Sequence, residues 1–84
     1  VKSIEENKIS ELKKKIPIEL GNRIRMFRER KNLSQTELAM MIGKDRQYLY
    51  KIEKGKVTSS IFTISVIAYA LDISLVELIK EIEL

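Results

Sequence analysis

The side chains best equipped for directional chemistry crowd into one short stretch, Arg46-Gln47-Tyr48-Leu49-Tyr50-Lys51-Ile52-Glu53-Lys54. Arginine forks onto the O6 and N7 acceptors of guanine and glutamine pairs bidentately with adenine, so the set suits the reading of base edges in a DNA major groove. If the stretch is a helix with Leu49 and Ile52 toward a core, a turn of 100° per residue puts Gln47 and Lys54 nearly opposite them. Tyr50 and Lys51 then flank that pair, Tyr48 and Glu53 lie near the boundary, and Arg46 reaches forward from the first turn. An ordinary solvated basic face would show the same pattern. Catalysis has less to work with. The 84 residues include no His and no Cys, which removes the commonest general base and the commonest metal ligands. There is no glycine-rich phosphate loop and no paired-carboxylate pocket, so neither enzyme activity nor a cofactor or metal is expected.

A second set suits phosphate. Gln35 opens a helical segment, beside backbone N–H groups of positive partial charge, where side chain and backbone together clamp an anion. Lys44, Lys51, Lys54, Lys56 and Thr58 border the same face, and backbone contacts of this kind fix register without reading sequence. Net charge is +4, but it is unevenly placed: residues 20–56 hold ten Lys and Arg against four Asp and Glu, and residues 57–84 hold one against four. A basic middle beside an acidic end is an electrostatic footprint for a polyanion on one face, and double-stranded DNA is the expected partner.

Those residues must be positioned by short helices. Apolar spacing is helical nearly throughout, and cap signals divide it. The first helix is expected from about Ser3 to Lys15, with Ser3 and Glu6 as a capping box, and a second from Pro17 to about Lys31, burying Leu20, Ile24 and Phe27. Ser34 and Glu37 form a second capping box for a helix that Gly43 ends. Asp45 caps the helix of about Arg46 to Lys54, and Gly55 stops it. Ser59 or Ser60 caps the next, with Ile61, Ile64, Ile67, Ala68 and Leu71 inward, and Asp72 takes a turn where Gly is commoner. Ser74 and Glu77 make a third capping box before Leu75, Leu78, Ile79 and Ile82. No run approaches the roughly 20 apolar residues of a membrane span, so a soluble, cytoplasmic protein without membrane partners is expected.

Between Gln35 and Lys54 two short helices meet at a glycine turn, with the small Ala39 allowing a close crossing. The string Ile24-Arg25, Arg28-Glu29, Leu33-Ser34-Gln35-Thr36-Glu37-Leu38-Ala39, Gly43, Tyr48 to Lys56 and Ile67 to Leu78 resembles the phage-repressor and Cro type of helix-turn-helix domain. Lys44 stands where an apolar residue is usual, and the Pro often found after the Gly55-Lys56 pair is missing. The resemblance implies an all-α, compact five-helix, lambda-repressor-like domain over residues 17–84. Residues 1–16 then form an extra N-terminal helix outside the family pattern. It also implies operator binding as a homodimer without a cofactor, base readout by Arg46, Gln47 and Tyr48, and a structural salt bridge between Arg28 and Glu53. The string Arg46-Gln47-Tyr48-Leu49 looks like the recognition helix of restriction–modification controller proteins, beside which a phage repressor stays open.

The last helix carries more apolar surface than one small domain easily covers. Leu75, Val76, Leu78, Ile79 and Ile82 are therefore expected to form a two-fold interface. The alternative is an antitoxin-type interaction module on the same domain, in which the Ser3–Lys15 segment binds a small toxin protein.

Overall fold

A computed structural model describes residues 3–84. Among them are five helices and no strands: α1 Glu6–Arg30, α2 Gln35–Met41, α3 Arg46–Glu53, α4 Ile61–Ala70 and α5 Leu75–Ile79. The two helices expected on either side of Pro17 are one. A proline inside a helix costs about 3 kcal/mol in lost hydrogen bonding and ring clash, so something must hold α1 together. Leu12 and Ile16 are half-buried, one turn apart on one side, and α1 packs on α5. The Lys8 ammonium also donates to the Leu84 carbonyl at 2.9 Å. Tertiary contact thus overrides the local break. The helix starts two residues later than Ser3 suggests: Glu5 is its N-cap, and its side chain makes no cap hydrogen bond.

The other caps follow the sequence closely. Ser34 Oγ accepts from the Glu37 N–H at 3.0 Å while Glu37 Oε1 accepts from the Ser34 N–H at 2.8 Å. Asp45 accepts from the Tyr48 N–H at 2.9 Å, and Ser60 from Thr63 at 3.2 Å. At α5 only half of the expected box forms. Ser74 accepts from the Glu77 N–H, but the Glu77 carboxylate lies 3.0 Å from Lys80. Asp72 takes the left-handed conformation as expected (φ 57), and so does Asn32 (φ 59), which closes the turn between α1 and α2.

The core is one cluster: Leu20, Ile24 and Phe27 of α1, Leu38 and Ala39 of α2, Leu49 and Ile52 of α3, with Ile67, Ala68, Leu71 and Leu78. Two glycines let α1 approach the end of α3. A Cβ on Gly21 would strike the Glu53 and Ile52 carbonyl oxygens, and one on Gly55 would lie 2.6 Å from Ile18 Cγ1. Only a residue without a side chain fits there. α5 is shorter than expected and is tied down by Arg23, whose guanidinium donates to the Leu78 carbonyl at 3.0 Å and the Glu77 carbonyl at 2.7 Å. These are carbonyls a helix end otherwise leaves unpaired.

That packing covers part of the expected dimer stripe. Leu78 is fully buried, and Ile79 and Ile82 are half-buried against the core, as Leu75 is half-buried. The protomer covers its own last helix, since α1 continues past Pro17 and packs on it. Only Val76, 69% exposed, projects freely.

Candidate nucleic-acid interface

α2 and α3 pack on each other through Leu38, Ala39, Leu49 and Ile52, so the outer side of α3 faces away from the core. Between them Gly43 adopts φ 71, and the Lys44 N–H donates back to the Ala39 carbonyl at 2.8 Å. A Cβ on Gly43 would touch nothing, so the backbone angle alone selects glycine there. Arg46, Gln47, Lys51 and Lys54 are exposed along α3 and its C-cap, and Leu49 and Ile52 are buried, as the helical rotation predicts, whereas Glu53, expected near the boundary, is buried as well.

The two tyrosines are less free than the polar residues. Tyr48 is half-buried against the core, with the Lys44 ammonium 5.1 Å from its ring centre. The Tyr50 ring has Lys54 at 5.9 Å and Lys56 at 5.4 Å. Both lie within cation–π range, so the rings help place three lysines.

Beneath α3 lies a buried polar tie. Arg28 Nε donates to Glu53 Oε2 at 2.6 Å, Nη2 to Glu53 Oε1 at 3.0 Å, and Nη1 to the Leu33 carbonyl at 2.7 Å. The Glu53 hydrogen bonds hold the Arg28 guanidinium above its ordinary pKa, against the opposing effect of burial. Gln35 joins the same carboxylate, its Nε2 donating to Glu53 Oε1 at 3.1 Å. The first residue of α2 and the last of α3 are therefore held by one carboxylate, a link that spacing did not reveal.

Lys8, Lys15, Arg23, Arg25, Arg28 and Lys31 each lie within 4 Å of a carboxylate, as Lys80 does. Among the described residues Lys44, Arg46, Lys51, Lys54 and Lys56 have no such partner. Lys13, Lys14 and Arg30 of α1 have none either; the five on α3 and its two flanking turns form one surface where an incoming polyanion meets little competition. Thr58 is exposed beyond Lys56. No group of His, Cys, Asp or Glu among the described residues could hold a metal ion, and no helix is long and apolar enough to cross a membrane.

A long first helix, two short helices at a glycine turn and two further helices define a class, and the helix-turn-helix family model matches residues 24–78. The chain belongs to that family. It is 39% identical over 69 residues to control protein C.MunI of a Mycoplasma species, covering 81% of this chain and 93% of that protein. The restriction-modification controller protein C.AhdI from Aeromonas hydrophila superposes with a TM-score of 0.71 at 40% identity, over 74% of this chain and 94% of that one. The ImmF control region 10 kDa protein of Bacillus phage phi105 is 41% identical over 56 residues, 67% of this chain and 62% of that protein. The family and these relatives are regulators.

Proposed function

We propose that this protein is a sequence-specific DNA-binding transcriptional regulator that lays α3 in the major groove and binds a palindromic operator as a homodimer. The observation that carries this reading is the outer surface of α3: Arg46 and Gln47 stand exposed at its start, and the cations around it have no carboxylate partner. Arg46 and Gln47 read base edges, with Tyr48, Tyr50 and Lys51 beside them. Gln35, Lys44, Lys54, Lys56 and Thr58 hold the phosphate backbone. Control of a restriction–modification operon is favoured over phage immunity, because similarity to the control proteins extends over nearly their whole length. Such a regulator acts in the cytoplasm, has no catalytic step and needs no cofactor.

The second copy docks on α4 in this reading. Residues 57–71 contain no charged side chain, yet Ile61, Phe62 and Tyr69 are 63%, 74% and 80% exposed. With Met41, Val66 and Ala70, Phe62 and Tyr69 line a groove of about 540 Å³. An uncharged apolar face meets its own copy with no charge conflict, and a two-fold axis there repeats α3 on both halves of a palindrome.

Selection from a random duplex pool should return a palindrome, bound with a log K that falls steeply with log salt. Recovery of no common sequence, or binding indifferent to salt, would refute the reading.

A further inference from the structure

The DNA-facing surface proposed above comes from α2, α3 and the turns beside them, with α1 as scaffold. One cleft, about 460 Å³, breaks that division, since α1 forms a wall of it. Its floor is the Glu53 carboxylate, whose side chain is 2% exposed. Both Glu53 oxygens are taken by Arg28 and Gln35 donors, so this acid is neutralised and does not repel an incoming anion. The rim carries donors and one exposed acid, Glu29. Gln35 gives one amide N–H to Glu53 and retains a second. Lys54 has no carboxylate partner among the described residues.

From α1 come Asn22 and Arg25, both exposed. They lie four and seven residues beyond Ile18, hence on its side of the helix. Ile18 rests against Gly55, so that side is locked to the end of α3. Arg25 is held only by an exposed pair with Glu29 at 3.5 Å, which is weak in water.

We propose that this cleft receives one phosphodiester of bound DNA and that α1, through Asn22 and Arg25, supplies half of its donors. The chemistry fits. A phosphodiester is a compact monoanion that only accepts hydrogen bonds, and it meets two amides, a guanidinium and an ammonium around a neutralised floor, with Glu29, paired to Arg25, as the one opposing charge. The cleft lies at the far end of α3 from Arg46, about 12 Å away for an eight-residue helix. Its phosphate therefore flanks the base pairs being read. This assignment rests on the DNA-binding reading, and it turns α1 from scaffold into a second clamp on the backbone.

The test uses the full chain in anisotropy titrations against the selected operator and a random duplex, over a range of salt. Arg25→Ala should weaken both duplexes by roughly three- to tenfold, the worth of about one net hydrogen bond. Its log K against log salt should be shallower by about 0.9 per protomer. Asn22→Ala should weaken both with the slope unchanged, since no charge is lost. Glu29→Gln should tighten both by freeing Arg25. Lys80→Ala removes a cation paired on α5 and should leave the slope at the wild-type value. An Arg25→Ala slope equal to wild type, while Lys56→Ala still lowers it, overturns the cleft and leaves the DNA reading standing. Wild-type protein whose affinity ignores salt overturns the DNA reading itself.

Discussion

α3 and α4 are short helices of eight and ten residues, each started by a side-chain oxygen that accepts from the N–H three residues on. Each buries an apolar pair, Leu49 with Ile52 and Ile67 with Ala68. Their outer sides diverge. α3 presents Arg46, Gln47 and Lys51, while α4 presents Ile61, Phe62 and Tyr69 with no charge in its whole length. Their anchorage diverges too, for α3 ends on a buried ion pair and α4 contributes none. One local architecture thus serves two surfaces, one suited to a polyanion and one to a second apolar face. Residues on the outside decide which, because the inside is spoken for by the same core.

The largest expected effect attacks the anchorage. Arg28→Ala leaves the Glu53 carboxylate buried and unpaired, which costs about 3–5 kcal/mol. That is a large share of the roughly 4–13 kcal/mol available to a domain this size. Urea denaturation should show the midpoint fall sharply. Replacing both Arg28 and Glu53 by Met gives α3 an apolar anchorage like that of α4, and stability should return. If the double variant stays as unstable as Arg28→Ala, the pair is not what distinguishes the two helices.

A smaller pair of effects separates the surfaces. Gln47→Ala should cost about 1–3 kcal/mol per half-site on the operator, relax base preference there, and leave association unchanged. Phe62→Asp should do the reverse at the level of the protomer, turning a dimer into a monomer at micromolar concentration while circular dichroism stays helical. Phe62 is 74% exposed, so the fold does not depend on it. Sedimentation and anisotropy on both variants give the four readings. A dimer that survives Phe62→Asp removes α4 from the interface.

Much of this was legible in the sequence because the information is local. The caps at Ser34, Asp45, Ser60 and Ser74, the left-handed Asp72 and the inward Leu49 and Ile52 all depend on neighbours within a turn or two. What failed depends on distance. Pro17 signals a break, and only the packing of α1 on α5 removes it. Leu78 is apolar in a stripe, and a stripe does not say whether the same chain or a second copy covers it. Arg23 looks like one more basic surface residue, yet it caps α5 some 55 residues away. The Gln35–Glu53 bond and the α1 wall of the polar cleft likewise join residues that spacing alone never relates. Gly21 carried a usable signal, since a glycine inside a helix asks for a close neighbour.

The smallest expected effect is an acid one, and it falls on the α2–α3 side alone. Glu37 is fully exposed, and the Ser34 backbone N–H that donates to it holds its carboxyl below the ordinary value of 4.5, the Ser34 side chain adding to this. A carboxyl whose pKa is lower folded than unfolded stabilises the fold at pH values above the unfolded value. That contribution shrinks as pH drops below about 4.5 and is gone once the folded value is passed. The cap of α4, Ser60 with Thr63, contains no titrating group and should hold through the same window. Glu37→Gln keeps a carbonyl to accept from Ser34 but cannot ionise. Urea midpoints measured between pH 6 and pH 3 should therefore fall slightly less for Glu37→Gln than for wild type. Identical pH profiles for the two proteins would mean that the ionised capping box contributes nothing to the stability of the helix beneath the reading surface.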